Sequence, residues 1–278
     1  MNEQRMEFYS REREVSGWET WHDWHEMVMR PVADWLVRAS GAAAGQKILD
    51  VACGTGIPGL LLAEAVGATG KVVGIDISPK MLTGMRNKAA ARGLRNIETR
   101  EVDALTFGGP DAVFDAVTCK DGFMFFPDIV AGVRELRRVV KPGGRYAFSA
   151  WAEPQANPAF ATLFGPLAEA LKLPPPAPDT PGPFRLAAPG ALERVVRDAG
   201  FTDVTVERVA ITWTFASVAQ HWEIFSVMAG PLERAIATLP ESELAQLKQK
   251  LAESIAPFAT ADGGLRFPGV EWCVSGTR

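Results

Sequence analysis

Residues 46–59, Gln-Lys-Ile-Leu-Asp-Val-Ala-Cys-Gly-Thr-Gly-Ile-Pro-Gly, constrain this chain more than any other stretch. The apolar run Ile48 to Val51 reads as a buried strand. Gly54, Gly56 and Gly59 follow it, and an apolar helical pattern starts at once through Leu60, Leu61, Leu62 and Val66. Pro58 suits the first turn of that helix, where a missing N–H costs nothing. Strand, glycine turn and helix N-terminus together offer backbone N–H groups that a nucleotide-bearing ligand can approach closely. The spacing G-x-G-x-x-G also occurs in dinucleotide sites. Asp50, four residues ahead of the first glycine, weighs against a pyrophosphate, because two anions would share one small site. It suits a ligand that presents a cationic amino group.

The chain then repeats strand and helix. Lys71 to Ile77 reads as a second buried strand carrying Asp76, 22 residues beyond Gly54, where a carboxylate can accept both hydroxyls of a ribose. Ser78 caps a helix from Pro79 to about Arg92, which stops at Gly93. Asn96 to Val102 is a third strand, and Asp103 follows at its carboxyl end. That aspartate either accepts from an adenine amino group or is a plain turn residue. Phe114 to Cys119 is the fourth strand. A helix with Val133, Leu136, Val139 and Val140 on one face follows, and Lys141-Pro142-Gly143-Gly144 turns sharply into a fifth strand, Arg145 to Trp151. Such alternation gives a parallel sheet.

The regular pattern ends there. Residues 152–190 hold a helical stretch, Phe160 to Leu173, and a proline-rich segment around 174–183 that fits neither a continuous helix nor a central strand. A helix over 189–199, a long strand from Phe201 to Trp213, helices over 217–258 with breaks at Gly230-Pro231 and near Leu239-Pro240, and a last strand from Leu265 to Thr277 complete the chain. At the other end, residues 1–15 are charged and at most loosely helical. Residues 17–39 place Trp18, Trp21, Trp24, Met27, Val28, Val32, Trp35, Leu36 and Ala39 at helical spacing, with a break or kink expected near Pro31. This stripe packs on the core, covers a ligand mouth, or does both. His22 and His25 lie three residues apart beside Asp23 and Glu26. No further ligand cluster is evident, so they read as the polar surface of a helix rather than as a metal site.

The stretches Ile48 to Gly56, Val72 to Leu82, Asp103-Ala104, Phe114 to Cys119 and Leu136 to Arg145 together resemble class I S-adenosylmethionine-dependent methyltransferases, closest to the ubiquinone/menaquinone-biosynthesis type. The resemblance covers residues 46–151. It implies an α/β fold: a Rossmann-like doubly wound sheet of seven strands in the order 3-2-1-4-5-7-6, the last antiparallel. Around it the chain would form one domain, with an N-terminal helical cover (1–40), a cofactor core (41–151) and helical cap insertions (152–190 and 214–262). By the same resemblance Asp50, Ala52, Gly54, Thr55 and Gly56 line the methionine part of S-adenosylmethionine (product S-adenosylhomocysteine), and Asp76 holds the ribose. Ile77 and Met81 lie against the adenine, Asp103 and Ala104 meet its edge, and the Lys120 backbone contacts the methionine amine.

Where relatives carry an aromatic or small residue two positions after strand four, this chain has Asp121. It is either a general base or substrate anchor, or a loop aspartate capping the turn before Gly122. Phe123, Phe126, Trp151, Phe160, Phe184 and Trp222 are candidate walls of an acceptor pocket, each also compatible with the core. His221 is a second candidate base or a structural histidine. An aromatic cover suggests a small, partly hydrophobic acceptor such as a phenol, quinol or polyketide-like ring. A small amine, an NAD-dependent oxidoreductase on the same glycine turn, and a non-catalytic cofactor-binding protein remain as alternatives. A net charge of −4 without a basic tract argues against nucleic acid. No apolar run reaches the ~18 residues of a membrane span, and the polar N-terminus has no signal-peptide core. Cys53, Cys119 and Cys273 all sit in or beside apolar runs and read as free buried thiols, which suits a reducing cytoplasm. A monomer or homodimer is expected.

Overall fold

Strands buried on both faces need near-continuous apolar runs. Four such runs form the middle of the sheet: β1 (Lys47–Val51), β2 (Lys71–Asp76), β4 (Phe114–Lys120) and β5 (Val140–Trp151). With β3 (Ile97–Glu101), β6 (Thr202–Phe215) and β7 (Leu265–Thr277) they make one seven-stranded sheet of order β3-β2-β1-β4-β5-β7-β6. β7 runs antiparallel to β5 and β6, and the remaining pairs are parallel. This is the topology the resemblance implies. The structure is a computed structural model that describes residues 17–172, 179–228 and 238–278. The charged segment 1–15, most of the proline-rich stretch and the Gly230-Pro231 break lie outside the described residues.

The crossover helices α2 (Gly59–Val66), α3 (Pro79–Ala91) and α4 (Ile129–Val139) return the chain between parallel strands. Ser78 Oγ accepts from Met81 N to cap α3, and Asp128 Oδ1 accepts from Ala131 N to cap α4. β5 begins earlier than the Lys-Pro-Gly-Gly motif suggests. Val140 already pairs with Phe114, the register slips across the glycines, and Arg145 pairs with Ala116. Gly143, at φ +75°, takes the left-handed turn within that slip.

Helix α1 (His22–Ala39) differs from expectation in two ways. It is continuous through Pro31, and its buried face includes His22 and His25 beside Val28, Met29, Val32, Ala33, Trp35 and Leu36. The two histidines are therefore not a solvent-facing polar surface. Asp23 and Glu26 on the same turns instead form ion pairs with Lys88 and Arg92 on and just after α3. Trp24 donates its Nε1–H to the Thr214 carbonyl at 2.7 Å, which fastens α1 to β6.

After β5 the chain forms α5 (Pro158–Ala170), then α6 (Ala191–Asp198). Helices α7 (Val218–Met228) and α8 (Glu241–Ile255) lie between β6 and β7, and α8 packs on α5, with Ser254 donating to the Thr162 carbonyl. Asn157 clamps this insertion to the sheet. It is fully buried, donates to the carbonyls of Ala152 and Val270 at 3.1 and 3.0 Å, and accepts from Val270 N at 2.9 Å. Replacing it by Ala removes the side-chain partner of the Ala152 carbonyl and of the Val270 N–H. We expect Asn157→Ala to lose about 3 kcal/mol of unfolding free energy in urea; a loss under about 0.5 kcal/mol would show that the clamp carries nothing.

Candidate active site

In an open α/β sheet, ligands bind outside the carboxyl ends of the strands. Here the carboxyl ends of β1 and β4 both leave through strained residues. Ala52 has φ +51° and Asp121 has φ +54°, left-handed conformations that non-glycine residues seldom adopt. The two loops touch: a Cβ on Gly122 would lie 2.7 Å from the Ala52 Cβ and 2.7 Å from Cys119 Sγ. The glycine turn follows Ala52. Gly54 (φ +52°) has open space where a side chain would stand, and Gly56 has φ +112°. Gly59 must be glycine because a Cβ there would come 2.7 Å from Asp50 Oδ2.

Asp50 is fully buried at the end of β1. Its Oδ1 accepts from Thr118 Oγ1 at 2.8 Å, and its Oδ2 faces the first turn of α2 without a hydrogen-bond partner. Burial raises its pKa to about 7, against the opposing pull of Thr118 and Lys120. Asp76 lies half-buried one turn away, its Oδ2 accepting from Gly54 N at 3.0 Å and its Oδ1 from Ser78 N at 2.9 Å. Asp103 caps the short turn Ala104–Thr106 by accepting from Leu105 N at 3.0 Å, as a turn aspartate would. Thr55 is held by His22: Nδ1 and Oγ1 are 2.8 Å apart and both side chains are buried, so the first turn of α1 sits on the glycine turn. Met81 and Ala104 are buried and Ile77 is half-buried.

Beyond Asp50 a second polar group occupies the same sheet edge. Lys120 closes β4, pairs in register with Ser149 on β5, and donates to Asp121 Oδ2 at 2.8 Å. Burial alone would lower the Lys120 pKa, but the carboxylates of Asp121, Glu271 and Asp50 hold it above that of a free lysine. Asp121 Oδ1, Ser149 Oγ and both carboxyl oxygens of Glu271 are buried together, with Glu271 in reach of both Ser149 and Asp121 and no partner from outside the group. Glu271 was not legible as a functional residue, since it stands alone among the apolar residues of β7. A lone acid in an apolar strand was the available signal. Burial and the neighbouring Asp121 push its pKa well above the carboxylate range.

The aromatic candidates divide into two groups. Phe123 and Phe126 belong to the closed core: Phe123 meets Phe148 and Phe126 edge-on at 4.7 and 5.3 Å, and Phe126 packs over Gly132. Trp151, Phe160 and Phe184 form a second cluster with Trp213 and Phe225, with centroid separations of 4.9 to 6.0 Å. The segment bearing Phe184 is tied to the loop after β4, with Gly182 N donating to the Met124 carbonyl at 3.2 Å and Arg185 to the Phe126 carbonyl. Trp222 is half-buried against the same apolar mass.

His221 is enclosed by Phe215, Phe225 and Phe267, and burial lowers its pKa to about 4. Phe267 lies four residues along β7 from Glu271, roughly 13 Å of strand. His221 and Asp121 are therefore not brought together. A cleft of about 720 Å³ opens at the opposite edge of the sheet beside Gly67, Lys71 and Asn96 and holds none of the candidate residues. No group of three or more His, Cys, Asp or Glu that could hold a metal occurs among the described residues, and none of their helices is long and apolar enough to cross a membrane.

The family model described as "Methyltransferase domain" matches residues 48–144. A demethylmenaquinone methyltransferase of Geobacillus sp. is 35% identical over 192 residues, covering 64% of this chain and 78% of that protein. The chain belongs to the class I S-adenosylmethionine-dependent methyltransferases of the quinone-biosynthesis type. The aklanonic acid methyltransferase DauC of a Streptomyces species is 40% identical over 119 residues, covering 43% of this chain and 54% of that protein. Among solved structures, the YcgJ protein of Bacillus subtilis shares the fold with a TM-score of 0.57 at 17% identity, over 88% of this chain and 97% of that one. This methyltransferase is thus an enzyme whose cofactor is S-adenosylmethionine. The site fits that donor: open space beside Gly54 in the glycine turn, and a fully buried Asp50 carboxyl at the end of β1.

The raised pKa of Asp50 has a definite sign. The folded state favours its neutral form, so its stabilising contribution is complete below pH ~4 and is lost as pH rises through about 7. We expect the melting temperature of Asp50→Asn, relative to the parent, to rise between pH 5 and pH 8. We also expect adenosylhomocysteine to bind the parent more tightly as pH rises through about 7, and the variant to lack that dependence. Parallel pH profiles of melting and calorimetric binding for the two proteins would refute this.

Proposed function

We propose that this methyltransferase acts on a small, partly hydrophobic acceptor built on an aromatic or polyketide-like ring and bearing a hydroxyl group. The observation that carries this reading is the cluster of Trp151, Phe160, Phe184 and Trp213 on the strand edge that also carries the half-buried Asp121. Flat aromatic walls favour a flat ligand, and an unpaired carboxylate oxygen favours one that brings a hydrogen-bond donor. The relatives' names, which cite demethylmenaquinone and aklanonic acid, support the same class.

Within this reading Ala52, the backbone of Gly54, Thr55 and Gly56, and the Asp50 carboxylate hold the methionine end of the donor, together with the Lys120 carbonyl. Asp76 holds the ribose, and Ile77, Met81, Asp103 and Ala104 hold the adenine. The bound donor supplies a methyl group already activated on a sulfonium. The protein's tasks are to align the acceptor, exclude water and accept a proton. Asp121 Oδ1 is the atom that takes the acceptor's hydroxyl proton, and Lys120 keeps that carboxylate in place through Oδ2.

Incubation with S-adenosylmethionine and a panel of naphthols, quinols, hydroxyanthraquinones and amines should give products heavier by one methyl group with the hydroxylated rings. Methylation confined to the amines would overturn the reading. Asp121→Asn should lower kcat about 100-fold with the KM for the donor nearly unchanged; unchanged turnover would remove Asp121 from the chemistry.

A further inference from the structure

Two carboxyl groups meet where the acceptor is proposed to lie, and the reaction as described uses only one. Glu271 is fully buried on β7, in register with Trp151 of the aromatic cluster. Asp121 arrives from β4, and its main-chain N–H bonds to the Ser149 carbonyl on β5 at 3.3 Å. The side chains of Ser149, Asp121 and Glu271 contribute four buried oxygens that lie within reach of one another and have no hydrogen-bond partner outside their own group. A proton shared between Glu271 and Asp121 and the Ser149 hydroxyl satisfy part of this group from within, and the acceptor oxygens left over, beside the aromatic cluster, suit a ligand that supplies a donor. The nearby charges are Lys120 and Asp121 on β4 and, past Lys120, Asp50 on β1; Cys273 adjoins on β7. Lys120 balances one ionised carboxylate within hydrogen-bond distance, which leaves the second carboxyl of the pair as the one that holds a proton.

We propose that Glu271 is a positioning residue that shares a proton with Asp121, and that the two carboxyls with Ser149 form a subsite for the acceptor's hydroxyl group. This rests on the aromatic-acceptor reading and deepens it: the site selects rings with a free O–H over the same rings with that oxygen already methylated. The selection also explains how a methylated oxygen would leave, since it can no longer donate to the pair. Glu271 is placed by its neighbour: Val270 is gripped by Asn157 through both its N–H and its carbonyl.

The test is binding rather than turnover. Equilibrium dialysis with 1-naphthol and 1-methoxynaphthalene, in the presence of adenosylhomocysteine, measures the hydroxyl preference directly. We expect the parent to favour naphthol and Glu271→Met to lose about tenfold of that preference. Glu271→Gln, a neutral isostere, should restore it. Raising the pH should ionise Glu271 in the parent, place a second negative charge in the apolar pocket and weaken both probes, whereas Glu271→Gln should lack this alkaline loss. A preference within twofold of the parent in a folded Glu271→Met overturns the proposal. If that variant does not fold, an alkaline profile of Glu271→Gln identical to the parent's overturns it instead. A parent that binds both probes equally removes the hydroxyl subsite and leaves the aromatic pocket standing. A parent that binds neither removes the aromatic-acceptor reading and this inference with it.

Discussion

The site depends on one buried cation. Lys120 ends β4 with its ammonium out of water, where an isolated charge would be prohibitively costly. Asp121 partners it directly at 2.8 Å, and Asp50 and Glu271 stand within its field, so their ionisation is coupled to its charge. These residues come from β1, β4 and β7, so the ammonium ties positions 50, 120 and 271 into one electrostatic unit. The strand order makes this possible. β7 enters between β5 and β6, which carries Glu271 to the carboxyl edge near β4. Removing one member of such a group leaves the others imperfectly compensated and costs more than the pair contributed to stability.

What could be read from the sequence was local. Asp50, the glycines, Asp76, Ser78 and Asp103 owe their positions to turns set by adjacent residues, and the observed contacts of Gly54 with Asp76 and of Ser78 with Met81 follow that logic. The strand order was implied by resemblance, and β6 and β7 fell close to the expected spans. What escaped was fixed by distant contacts. The burial of His22 depends on Thr55, 33 residues away, which a helical-wheel reading cannot see. The early start of β5 depends on pairing with Phe114 across a register slip. Phe123 and Trp151 were indistinguishable by residue type; both are buried, and only packing shows that one meets Phe148 and the other Trp213.

Helix α1 couples the two halves of the site. Its first turns rest on Thr55 through His22 and reach β6 through Trp24, whose ring also packs on Trp213 and Phe215. One helix therefore touches the glycine turn and the aromatic cluster at once. Its outer ion pairs to Lys88 and Arg92 involve partly exposed groups, which contribute about 0–1 kcal/mol each. The apolar stripe from Val28 to Leu36 anchors the rest of the helix far more strongly.

The protonation pattern follows from the same low-dielectric surroundings. Burial favours neutral Asp50 below about pH 7 and a neutral Glu271, while Lys120 and Asp121 form an ion pair. Each buried charge then has a partner. A ligand that brings a cationic amino group to Asp50 favours release of the proton held there, and the local charge again balances. A hydroxyl brought to Asp121 adds a donor without adding charge. An ammonium brought there would compete with Lys120 for the same carboxylate. Under the proposed reading, charge balance thus separates the two ends of the site chemically: a cation at the Asp50 end and a neutral donor group at the Asp121–Glu271 end.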